Sequence, residues 1–248
     1  MTTNLRIFLI GMLLTCSLLA CTDHRLRPLS PSNLRLRTTN NINSPSSPFS
    51  TEYNYGPNNR VTSFTTSLGT RGVFTYGERD QYRQFDYFYQ LTDESRGERT
   101  RFQYSQDEKT LTVSSNFFQN GNHGSTFQTT TYELDADRRL LSSYTGDGPT
   151  SVASTYRYTG GNITNQRTVA GRTVNSVGYE YDDKPNPYYG LIAPDIGEIR
   201  RFGRNNIIKI TNGTAITEYV YEYNAQGLPT KASRKGGSEE VRFTYESY

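Results

Sequence analysis

Eight times between Tyr53 and Tyr245 the chain repeats one short pattern. Two rings, once a ring and a leucine, flank a single polar residue, and a polar turn and an apolar residue follow. The instances are Tyr53-Asn54-Tyr55, Phe74-Thr75-Tyr76, Phe102-Gln103-Tyr104, Tyr132-Glu133-Leu134, Tyr156-Arg157-Tyr158, Tyr179-Glu180-Tyr181, Tyr221-Glu222-Tyr223 and Phe243-Thr244-Tyr245. They start 21, 28, 30, 24, 23, 42 and 22 residues apart. Positions i and i+2 of a strand share a face, so each pair sets two side chains on one side of a sheet and a polar residue on the other. A period of about 20–30 residues is the length of one repeated hairpin unit. The longer runs keep the alternation: Tyr219, Tyr221 and Tyr223 oppose Glu218, Val220 and Glu222, and Val241, Phe243 and Tyr245 oppose Arg242, Thr244 and Glu246.

Turn residues fall between these runs, at Gly56-Pro57-Asn58-Asn59, Asp135-Ala136-Asp137, Gly160-Gly161-Asn162, Asn212-Gly213 and Asn224-Ala225-Gln226-Gly227. Asn-Gly between two β-rich runs is a strong hairpin signal. No segment carries a sustained 3.6-residue apolar stripe. The expected fold is all-β: an antiparallel meander of roughly 12–16 strands, curled into an open sheet or barrel-like, with minimal helix. One domain over residues 51–248 accommodates it. With 20 Tyr and 12 Phe, the buried surface comes largely from rings.

The first twenty residues carry a different signal. Arg6 precedes an apolar run from Ile7 to Ala20, too short to span a bilayer as a typical helix and the right length for a secretory h-region. Residues 1–20 therefore read as a signal peptide. The run ends Leu18-Leu19-Ala20-Cys21, which resembles the lipobox of bacterial lipoproteins. The resemblance implies lipidation of Cys21 and cleavage after Ala20. Cys16 leaves with the leader, so no thiol remains for metal, redox or nucleophilic chemistry. Thr22 after the cysteine leans toward the outer membrane. Residues 21–50, rich in Pro, Ser, Thr and Asn, read as the lipidated cysteine and its tether, with a candidate edge strand at 34–37. Arg25, Arg27, Arg35 and Arg37 are candidates for contact with anionic lipid heads.

Three segments resemble degenerate YD repeats of the Rhs type: Tyr223-Asn224-Ala225-Gln226-Gly227-Leu228-Pro229, Leu134-Asp135-Ala136-Asp137-Arg138-Arg139-Leu140 and Tyr181-Asp182-Asp183-Lys184-Pro185-Asn186-Pro187. The chain as a whole resembles uncharacterised lipoproteins of Gram-negative bacteria that carry such units behind a lipobox. The resemblance implies a large sheet, curled toward a barrel, and no known activity. The spacing is irregular and no toxin domain follows the last repeat, so the Rhs shell-and-toxin function does not carry over.

Chemistry-bearing residues are sparse. The loop from Asp182 to Arg200 is the main insertion, and long ordered loops are often functional. Asp182, Asp183 and Asp195 lack the spacing of a calcium loop. Tyr188 and Tyr189 are the candidate ligand contacts, as a stacking platform for a sugar. His123 lies in a turn-like segment with no nucleophile near it, and His24 lies in the tether. No metal, cofactor or catalytic set is expected. A net charge of +3 and a pI near 8.7 suit a mixed-charge surface and not nucleic-acid binding.

The expectation is a non-enzymatic, lipid-anchored outer-membrane protein, facing the periplasm or the cell surface, that serves binding, adhesion or scaffolding. The alternatives are a glycan-binding lipoprotein of a nutrient-uptake system, or an envelope hydrolase. The partners expected are the membrane, through the anchor, and a glycan or another envelope protein. The charged faces opposite the rings argue against a membrane-spanning barrel, which needs a continuous apolar lipid face.

Overall fold

The computed structural model describes residues 33–43, 49–78, 81–146, 150–191 and 199–248. The leader, Cys21, His24, Arg25, Arg27 and Asp195 lie outside the described residues. The strands are β1 (Leu34–Ile42), β2 (Phe49–Tyr55), β3 (Val61–Thr66), β4 (Arg71–Tyr76), β5 (Tyr82–Phe88), β6 (Arg96–Tyr104), β7 (Thr110–Gln119) and β8 (Asn122–Leu134), followed by β9 (Leu140–Thr145), β10 (Val152–Thr159), β11 (Asn162–Ala170), β12 (Thr173–Pro185), β13 (Asn205–Asn212), β14 (Ala215–Tyr223), β15 (Pro229–Arg234) and β16 (Glu240–Ser247). Each pairs antiparallel with its sequence neighbours, and β1 pairs with β16, so the meander is a closed barrel. A 3₁₀ turn, Ile199–Arg201, lies between β12 and β13.

Closure revises the expected boundary. The segment 34–37 is no edge, and the domain begins at Leu34 rather than at Thr51, because β1 completes the ring between β16 and β2. Leu36 is buried among the rings of Tyr53 and Phe243. Arg35 pairs with Glu246 at 2.7 Å, and Arg37 pairs with Glu52 and, at 3.5 Å, with Glu246. The two arginines are thus engaged by the neighbouring strands.

The eight aromatic pairs account for the sixteen strands. Each pair lies at the end of an even-numbered strand, just before the turn into the next odd-numbered one or, in β16, beside the start of β1. The apolar residue after the turn, such as Val61, Leu111, Leu140, Ile163 or Ile207, is buried against the same rings. All these side chains point into the barrel.

A repeated bulge departs from strict alternation. The register slips between the polar residue and the second member of the pair at Asn54/Tyr55, Thr75/Tyr76, Glu133/Leu134, Arg157/Tyr158, Glu180/Tyr181 and Glu222/Tyr223. The extra residue sits on the following odd strand, as Thr62 and Thr164 show. Bulges bend a strand and increase its twist, which helps a sheet this wide to close. Beside the slip, a tyrosine of the pair donates across to a backbone carbonyl of the adjacent strand: the second one in Tyr76 to Val61 at 2.7 Å and Tyr181 to Ile163 at 2.6 Å, and the first in Tyr221 to Ile207 at 2.9 Å. Tyr55 and Tyr245 do the same to Leu36 and Pro229. A buried phenol and a buried carbonyl thereby satisfy each other.

Two residues before the pair, the inward position is often a hydroxyl. Thr51, Thr100, Thr130 and Ser154 are buried there. Three bond a hydroxyl on the next strand: Thr100 to Ser115 at 2.9 Å, and Thr130 to Thr145 and Ser154 to Thr168 at 2.8 Å.

The outward faces are the reverse. They carry cross-strand ion pairs, among them Arg99–Asp86 at 2.7 Å, Lys209–Glu180 at 2.7 Å, Lys231–Glu222 at 2.9 Å and Lys235–Glu218 at 2.9 Å. Between them stand Thr and Ser, as in the facing residues Thr112, Thr131 and Ser114, Thr129.

Candidate functional site

The 42-residue interval becomes a plug. The β12–β13 connection turns into the barrel, where Tyr188, Leu191 and Phe202 join the buried cluster formed by the strands. The 3₁₀ turn meets the β14 wall. Arg200 lies 4.9 Å from the Tyr219 ring centroid on β14 and donates to its hydroxyl at 2.8 Å.

The plug is spliced into a turn that the barrel uses elsewhere without an insertion. In the Asp135 turn, one carboxylate oxygen accepts the N–H of Asp137 and that of Arg139, each at 2.9 Å. The side-chain oxygen of Asn224 accepts the equivalent pair, from Gln226 at 3.1 Å and Leu228 at 2.9 Å. Asp182 accepts the first, from Lys184 at 3.0 Å, but its second partner is the N–H of Asn206 at 3.1 Å. The chain between Lys184 and Asn206 is therefore inserted within one Asx turn. Its mouth is held by buried amides: Asn186 donates to Gly203 at 2.8 Å and to Arg200, and the Asn206 side chain donates to Asp182 and to Pro185 at 3.2 Å. The Tyr223 hydroxyl donates to the other Asp182 oxygen. Burial and this carboxylate hold the phenol far above its ordinary range.

Between the plug and the β13–β16 wall lies a cavity of about 210 Å³. Tyr188, Arg200, Tyr219, Tyr221 and Phe243 line its depth, and Arg234 and Glu239, 3.2 Å apart, stand at its rim. It exceeds the roughly 150 Å³ that can hold a benzene ring. Its walls combine ring faces with a guanidinium and amides, suited to a small ligand with one apolar face and several hydroxyls.

Of the residues singled out in the sequence, Tyr188 lines this cavity, its ring set edgewise on Phe243 at 5.7 Å. Tyr189 is buried, with its N–H bonded to Asn186. Asp183 is exposed beside Lys184. His123 opens β8 on the barrel exterior, 3.4 Å from both Arg99 and Asn116 and against the Phe118 ring. No group of three or more metal-ligating side chains occurs among the described residues. Arg200, Tyr219 and Tyr221 had no individual signal for a site. The strand pattern shows that Tyr219 and Tyr221 share a face, but it cannot show that the insertion folds back onto them.

No protein-family model matches the chain, and no curated protein matches it. Among solved structures, a porin-like protein from Bacteroides uniformis is similar in layout, at 13% identity and a TM-score of 0.48, covering 90% of this chain and 100% of its own. A porin-like protein from Bacteroides vulgatus is similar at 11% identity and a TM-score of 0.42, covering 86% and 98%. The TcdB2-TccC3-Cdc42 structure aligns with 82% of this chain over 14% of its own length, at 11% identity and a TM-score of 0.22.

Proposed function

We propose that this chain is a lipid-anchored protein of the bacterial cell envelope, held at the outer membrane through Cys21, whose barrel stands outside the bilayer and binds without catalysis. One observation carries the reading: the aromatic pairs and the apolar residue after each turn point inward, and ion pairs recur on the outward faces. A barrel embedded in lipid needs the opposite. Arg or Lys facing lipid at the bilayer midplane costs about 2–4 kcal/mol, and the charged pairs recur around the wall.

The test is membrane fractionation. Wild type should sediment with the envelope and incorporate labelled palmitate. Cys21→Ser should do neither. A mutant that still incorporates label, or stays in the membrane after a carbonate wash, would overturn the proposed anchor.

A glycan is the ligand class that the cavity suits best. Tyr219 and Tyr221 line the cavity from one strand, and Arg200 of the plug faces them across it. Ring faces and planar donors together suit a sugar with one apolar face. Titration calorimetry against envelope and dietary oligosaccharides tests this, with Tyr219→Ala and Arg200→Ala as controls that should weaken binding.

A further inference from the structure

The two ends of the barrel differ in chemistry. One end carries the plug and the polar turns after each aromatic pair. The other, the open mouth, is built from the turns that lead into the even strands. Of the twelve exposed large apolar side chains among the described residues, nine belong to the open mouth. Leu68, Leu91, Phe117, Phe127, Val174 and Ile216 are each 41–60% exposed and come from five hairpins around this rim. The rings of Phe117 and Phe127 stack on each other, with centroids 4.4 Å and planes 20° apart, yet each remains about half exposed.

Three of these hairpins carry almost no charge, while the β5–β6 turn beside the β7–β8 tip holds Asp93 and Glu94, the latter paired with Arg71 at 2.5 Å. Residues 110–132, 168–179 and 210–217 contain no Asp or Glu, and Arg172 is their one Arg or Lys. The β7–β8 hairpin reaches well past β9, which pairs with β8 only from Thr130 onward, and residues 122–129 of β8 are exposed throughout. A charge-free row of Ser, Thr and Asn with protruding rings, joined by a cation, complements a surface that is apolar beneath and negative above.

We propose that the open mouth docks onto the headgroup region of an anionic lipid bilayer, inserting the hairpin tips led by Phe117 and Phe127. Aromatic residues favour that interface, and anionic headgroups attract basic residues. The contact goes beyond the anchor and does not depend on it. It is compatible with an anchor, because the 12 residues from Thr22 to Asn33 can reach about 40 Å when extended. The nine-residue β1 rises only about 30 Å before any tilt. Cys21 and the open mouth can therefore meet the same bilayer, although β1 starts at the plugged end.

The experiment uses residues 22–248, which lack the lipidated cysteine but keep every strand of the closed barrel. The protein is sedimented with vesicles of phosphatidylcholine and phosphatidylglycerol. It should pellet with them. Phe117→Ser with Phe127→Ser should lower the partition coefficient by roughly tenfold or more, the scale expected for exposing one or two rings. Val174→Ser with Ile216→Ser, a second pair on other hairpins, should lower it as well. Leu141→Ser with Val220→Ser, away from this rim, should leave it unchanged. Wild type remaining in the supernatant would overturn the proposal. So would equal loss from the Leu141/Val220 pair, or a concentration-dependent dimer that the Phe pair abolishes while vesicle binding persists, which would assign the rim to a second copy of this chain.

Discussion

The Phe64 ring on β3 lies over the Phe85 ring on β5, with centroids 6.0 Å and planes 27° apart, across Gly72 of the strand between them. A Cβ at Gly72 would stand 2.4 Å from Phe64 and 2.7 Å from Phe85. The glycine supplies the room in which two non-adjacent strands share ring contact. Gly72→Ala should therefore destabilise the barrel by about 1–3 kcal/mol, the usual range for overpacking. Thermal melts of the two proteins check this, and an unchanged midpoint would show that the rings separate at little cost.

The phenol-to-carbonyl bonds beside the bulges make a second prediction. Tyr181→Phe and Tyr221→Phe each keep the ring and remove the donor to a carbonyl of the adjacent strand. Each should cost about 1 kcal/mol, the typical net worth of such a bond. Tyr76 and Tyr221 serve separate strand pairs, so combining Tyr76→Phe with Tyr221→Phe should be close to additive. Denaturant unfolding of the single and double variants measures both points.

Alkaline pH should act through the same rings. Burial pushes Tyr104 and Tyr179 up to about 12, and pushes Tyr55, Tyr181, Tyr221 and Tyr245 higher still. An unfolded tyrosine titrates near 10. The folded state thus holds protons that the unfolded state releases between these values. The stability from this source is complete below pH about 10 and falls as pH rises toward 12 and beyond. Phenolate absorbance of the native protein should rise late, and together with loss of β-sheet circular dichroism.

The spliced turn predicts unequal cost for equivalent residues. Asp135→Ala removes an acceptor for two turn N–H groups and a partly exposed ion pair with Arg139, which adds little. Asp182→Ala also abandons the Asn206 side chain and the Tyr223 hydroxyl. Asp182→Ala should cost about 2–4 kcal/mol, since it strands several buried polar groups at about 1–3 kcal/mol each. Asp135→Ala should cost nearer 1 kcal/mol. Comparable melting midpoints for the two variants would contradict the clamp.

Much of this architecture was legible because the side-chain period of a strand is short and the aromatic pairs are distinctive. Tyr219, Tyr221 and Tyr223 share a face as their spacing requires, and eight pairs become eight two-strand repeats. Closure was not legible. The sequence 34–37, Leu-Arg-Leu-Arg, looks like a charged edge, and only the long-range register of Leu36 with Tyr245 and of Thr38 with Glu52 makes it an interior strand. The bulges were hidden too, because Thr62 or Thr164 as an extra outward residue is indistinguishable from ordinary alternation until the register is known. The interval between Tyr179 and Tyr221 marked an insertion at Asp182. It carried no sign that Asn206 completes the Asp182 turn, nor that Arg200 meets Tyr219. Those contacts depend on how the insertion folds back, which no local pattern encodes.

The central claim is that the barrel stands in water with its rings inward. Detergent-free behaviour of residues 22–248 tests it most directly. The account predicts a monodisperse species in plain buffer that melts cooperatively and shows circular dichroism dominated by β-structure. A chain that stays in solution only with detergent, or that conducts ions across planar bilayers, would contradict it and turn the barrel into a membrane-spanning one.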